Sequence, residues 1–122
     1  LAFKIVCLLQ TSQLKKALGI SGVDSMEYTW KSDAVKNGAQ IDLLIDRRDQ
    51  VVNLCEMKYT QDMFSIDQEY EKNLLHKREC FISETKTKKS VYLTMVTVNG
   101  LVQNAHSGII QNTITAEDLF QP

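Results

Sequence analysis

The sequence predicts an α/β domain: one mixed β-sheet with helices packed on it. Three observations carry this. Two runs rich in Ile, Leu and Val, Ala39 to Asp46 and Val51 to Tyr59, are separated only by Arg47, Arg48, Asp49 and Gln50. That is the signature of a β-hairpin with a short loop. A long stretch from Ile66 to about Ser83 repeats its apolar residues at helical spacing. The β-branched run VYLTMVTV, ending at Val98, then reads as a buried strand.

Taken in chain order, Phe3 to Leu18 places Phe3, Cys7, Leu14 and Leu18 on one helical stripe. Lys15 and Lys16 in its last turn suit the helix dipole, and Gly19 is a natural stop. Val23 to Trp30 reads as a first strand and Lys31 to Gly38 as a polar loop. The hairpin follows. The helix from Ile66 carries Ile66, Tyr70, Leu74 and Phe81 on one stripe, with Leu75 and Ile82 beside it. Ser65 is the expected N-cap, and Gln68 would complete a capping box. Thr85 to Lys89 is a lysine-rich turn. Ser90 to Val98 is a strand, Asn99-Gly100 a turn, Leu101 to Ile110 a further strand, and Ala116 to Phe120 a last helical turn. The order α, β, β, β, α, β, β makes one sheet with flanking helices.

With 122 residues, 43% of them apolar and 24% charged, the chain has one domain's worth of core. No apolar run approaches the roughly 18 residues of a membrane span, so no membrane partner is expected. Cys7, Cys55 and Cys80 fit neither a disulfide framework nor a zinc pattern; free core thiols and a cytoplasmic setting are expected. The net charge of −1 gives no overall basic character, which leaves room only for a local basic face on nucleic acid.

The chemistry gathers on the hairpin. Alternation puts Ile41, Leu43 and Ile45 on one face of the first strand, and Gln40, Asp42, Leu44 and Asp46 on the other. On the second, Val52, Leu54, Glu56 and Lys58 share a face. Setting Leu44 against Leu54 is the apolar match. It leaves an odd loop of three to five residues and brings Asp42 opposite Glu56, with β-carbons about 5 Å apart. Two facing carboxylates repel unless a cation lies between them, and Mg²⁺ accepts one or two carboxylates with water and phosphate. Lys58 follows roughly 7 Å along the same face, near enough to hold a water or to offset charge on a phosphate. Asp46 sits by the loop and reads as solvated. Lys77, on the stripe of Tyr70 and Phe81, and Arg78 beside it have two readings: one of them aimed at substrate phosphate or the hairpin carboxylates, or, the preferred one, a stem packed on the core with its head in water. His76 and His106 have no partner at ligand spacing.

Asp42, a hairpin, then Glu56-Met57-Lys58 resembles the PD-(D/E)XK nuclease signature, and the helix-before, helix-after order is similar to the restriction-endonuclease-like core. More narrowly, GAQIDLLIDR from Gly38, NLCEMKY from Asn53 and ETKTKKSVYLTMVT from Glu84 resemble the C-terminal nuclease-like domain of a family of bacterial AAA-type ATPases. The resemblance covers nearly the whole chain. It implies a single nuclease-like domain from residue 1 to 122, a C-terminal piece of a larger ATPase. It further implies that Asp42, Glu56 and the Met57 carbonyl bind Mg²⁺ or Mn²⁺, that Asp42, Glu56 and Lys58 are catalytic, and that the target is a phosphodiester in nucleic acid, DNA first. Members of the family often carry a metal-reaching glutamate on the first helix. Here the matching place reads Phe3-Lys4-Ile5-Val6, without an acid. This departure opens an alternative, a catalytically degenerate fold kept for binding or assembly. No G-x-x-x-x-G-K-[ST] occurs, so ATP hydrolysis is not assigned to these residues.

Overall fold

The computed structural model describes residues 2–34 and 36–120; Leu1, Val35 in the expected polar loop, Gln121 and Pro122 lie outside them. Five strands form one sheet in sequence order: β1 (Ser25–Lys31), β2 (Gln40–Arg47), β3 (Val51–Lys58), β4 (Ser90–Thr97) and β5 (Asn112–Thr115). β1, β2 and β3 pair antiparallel, while β3, β4 and β5 pair parallel. The sheet is mixed, as the sequence predicts. α3 (Gln68–Thr85) supplies the long crossover between the parallel β3 and β4.

Both faces of the sheet are covered. Leu43, Ile45, Cys55, Met57, Val96 and Ile114 turn to one side, and there meet Cys7 of α1 (Ala2–Leu8), Leu14 of α2 (Thr11–Ala17) and Leu119 of α4 (Ala116–Leu119). Leu44, Val52, Leu54, Leu93 and Met95 turn to the other, against Leu74 and Phe81 of α3. This is why β3 reads as a nearly continuous apolar run: a strand buried on both faces has no solvent side. Cys7 and Cys55 are core thiols as expected. Cys80 is half-buried on α3, its sulfur 3.4 Å from His76 Nε2.

Three elements depart from expectation. The first helix is broken. At Gln10 the backbone leaves helical geometry (φ −117°, ψ 36°), and its N–H bonds the Cys7 carbonyl at 3.0 Å. Thr11 and Ser12, residue types that favour a helix start, then open α2. Its end is as read: Gly19 (φ +73°) donates to Lys16 and Ile20 to Lys15, the paired bonds of a Schellman motif.

The cap of α3 is Asp67, not Ser65; its carboxylate accepts the Tyr70 N–H at 2.7 Å. Finally, Leu101 to Ile110 is not a strand. Leu101 makes a single bridge to Phe64, a 3₁₀ turn spans Ser107–Ile109, and β5 begins at Asn112. The Ser107 hydroxyl binds the Asn104 backbone twice (accepting from the Asn104 N–H at 2.9 Å and donating to the Asn104 carbonyl at 3.0 Å), offering that segment a local alternative to a ladder.

Candidate active site

The hairpin register is Leu44 opposite Leu54 and Leu43 opposite Cys55. Three residues, Arg48, Asp49 and Gln50, close the loop beyond the Arg47 end of β2, with Gln50 left-handed (φ 70°) as three-residue hairpins require. β3 runs on in register with β4 as far as Lys58, but its ladder with β2 stops at the Leu43–Cys55 pair. Where that ladder ends, two side chains take over. The Asp42 N–H donates to Glu56 Oε2 at 3.0 Å, and the Met57 N–H donates to Asp42 Oδ2 at 3.0 Å.

The same place carries a bulge. Tyr28 pairs with Leu44 and Trp30 with Ile41, so two steps of β1 face three of β2. The bulge breaks the strict alternation expected from the sequence: Ile41 packs on the α3 side with Leu44, while Leu43 packs on the opposite side. Asp42, between them, lies in the seam and not squarely on the α3 face. From there its Oδ1 meets Lys4 Nζ of α1 at 3.1 Å.

Glu56, 5% exposed, points to the α3 side and pairs with Lys77. Burial, and then the neighbouring Asp42, push its carboxyl above the usual carboxylate range, with Lys77 opposing both. Lys58 stands over two rings, 5.1 Å from the centroid of Tyr70 and 5.8 Å from that of Phe64. Asp42, Glu56, Met57 and Lys58 therefore line one polar cavity of about 470 Å³, joined by Lys4, Tyr70 and Lys77. Two carboxylates in it face three ammonium groups.

A hard divalent cation fits this donor set. Asp42 and Glu56 offer carboxylate oxygens. Because the Met57 N–H points into the seam, its carbonyl opens to the same side of β3. Among the described residues no three His, Cys, Asp or Glu side chains gather as a metal cluster. A cation here would have two carboxylates and a carbonyl, the remainder being water and substrate, which suits Mg²⁺. It would have to displace Lys4, whose side chain is 48% exposed; such a pair is weak and yields readily.

Sequence reasoning missed two neighbours of these groups, Lys4 and Tyr70, and preferred the wrong one of two readings for a third. Lys77, read as a stem with its head in water, is the ion-pair partner of Glu56. Lys4, noted as the missing acid of the first helix, contacts Asp42 itself. Tyr70, assigned to the packing stripe, also lines the cavity. The spacing of Tyr70 and Lys77, seven residues apart on one helical face, was the available signal. Asp46 is not freely solvated: Lys89 Nζ reaches it at 2.7 Å. His76 and His106 take structural partners, the Asn37 carbonyl at 2.7 Å and Glu71 at 3.0 Å.

No family model matches this chain, and no curated protein does. A crystal structure of a protein of unknown function, AF1548, superposes with a TM-score of 0.53 at 14% sequence identity, over 90% of this chain. The likeness is one of fold. This chain spans 63% of the length of that protein. Among the described residues no helix is long and apolar enough to cross a membrane.

Proposed function

We propose that this domain is a nuclease-like module of an AAA-type ATPase that hydrolyses phosphodiester bonds in nucleic acid, most readily DNA, with Mg²⁺ or Mn²⁺. The observation that carries the reading is the convergence of Asp42, Glu56 and Lys58 on one cavity with surplus ammonium charge. Asp42, Glu56 and the Met57 carbonyl would hold the ion, which when bound supplies positive charge to the leaving oxygen. Lys58, two residues beyond Glu56 and without a carboxylate partner among the described residues, orients the attacking water and faces the phosphate. Lys77 opposes the upward push on the buried Glu56 carboxyl and holds it in place. The test is cleavage of plasmid and single-stranded DNA in Mg²⁺ or Mn²⁺. Asp42→Ala and Lys58→Ala should each lose about 100-fold or more in rate. Equal activity in all three proteins removes the proposal.

One observation favours a second reading, a degenerate nuclease fold retained for binding or assembly. Lys4 contacts Asp42 from the first helix, where the nuclease family often places a glutamate. An ammonium in that position does electrostatically part of what a divalent ion would do. Calorimetric titration separates the two: no uptake of Mg²⁺ or Mn²⁺ at millimolar concentration supports the binding module.

A further inference from the structure

Four oxygens of Asp42 and Glu56 already have donors: Lys4, the Met57 N–H, Lys77 and the Asp42 N–H. The Tyr70 hydroxyl, beside them in the cavity, has none to donate to. Its oxygen is closed to bulk solvent and makes no hydrogen bond to another described residue. A buried hydroxyl in that condition is destabilising. The ring contacts of Tyr70 do not explain it. The edge-on packing with Phe64 at 5.1 Å and the Lys58 ammonium over the ring need only an aromatic face, which phenylalanine supplies equally. Burial, together with the charges of Glu56 and Asp42, pushes the phenol well above its ordinary pKa, so it stands as a proton donor. Asn73 and Lys77 follow it at three and seven residues, turning further donors to the same cavity. A donor unmatched among the described residues, next to an ammonium with no carboxylate partner among them, suits an oxyanion ligand.

We propose that Tyr70 is a positioning residue for a backbone phosphate of nucleic acid: its hydroxyl donates to one non-bridging oxygen while the Lys58 ammonium meets the other. This rests on the reading of the cavity as a phosphodiester site. It assigns α3 a part in substrate recognition as well as in core packing.

The test compares wild type with Tyr70→Phe in three measurements: thermal midpoint, binding of a labelled single-stranded DNA oligonucleotide with Ca²⁺ in place of Mg²⁺, and cleavage in Mg²⁺. Tyr70→Phe should melt at the same temperature or higher, because it removes an unmatched polar atom. Its affinity for the oligonucleotide should fall about tenfold or more. The salt dependence should keep its slope, because no charge is lost, whereas Lys58→Met should flatten it. Unchanged affinity overturns the proposal. So does a midpoint lowered by several degrees, since the hydroxyl would then have a partner of its own within the fold. If the wild type binds without cleaving and Tyr70→Phe weakens binding, the hydrolase reading fails and the role of Tyr70 stands. If both proteins bind and cleave alike, Tyr70 fails and the hydrolase reading stands. A wild type that binds no oligonucleotide ends both.

Discussion

The two lysines that touch the carboxylates are unequal. The Lys77 and Glu56 side chains are 18% and 6% exposed, so removing the ammonium strands a buried carboxylate. Lys77→Ala should cost about 3 kcal/mol in chemical denaturation, and adding Glu56→Gln should recover most of it. A loss below about 1 kcal/mol would mean that Glu56 is solvated. At this scale the sequence was informative where the backbone repeats. Leu44 against Leu54 set the register that brings Asp42 to Glu56. It was silent where distant segments meet. Helical spacing puts Lys77 on the face of Tyr70, but nothing local shows that α1 or α3 carries its lysine to the hairpin. The parity of Ile41 was misread because one extra residue in β2 reverses it, and no glycine or proline marks that bulge.

Helix caps and strand ends show the competition between local signals. Ser65 and Gln68 fit a capping box, yet Asp67 caps α3. With Asp67 as the cap, Ile66 precedes the helix and sinks into the α3 side of the core at 1% exposure. Ser65 instead receives a bond from Asn104 at 3.2 Å. Asp67→Ala should therefore destabilise the protein by about 1 kcal/mol, while Ser65→Ala changes stability by much less. Equal losses in urea titrations would contradict this assignment. The strong elements, β2, β3, α3 and β4, were legible because burial on a sheet face or helix stripe repeats over eight residues or more. The break at Gln10 and the four-residue β5 were not. Each is too short for a period to form.

Across the whole molecule, the layering explains why the site lies where it does. Helices cover both faces of the sheet, so β3 is buried from Val52 to Met57, and Glu56 and Lys58 are tolerated at the end where β2 leaves it. There the backbone of β3 is freed from one neighbour, and Asp42, Glu56 and the Met57 peptide satisfy one another. The fold likeness to AF1548 concerns this scaffold; the chemistry rests on the cavity. The most direct measurement is anomalous diffraction from crystals grown with Mn²⁺. The account predicts one peak within bonding distance of the Asp42 and Glu56 carboxylates and the Met57 carbonyl, with Lys4 turned away. A cavity without a peak, its carboxylates still held by Lys4 and Lys77, would contradict it.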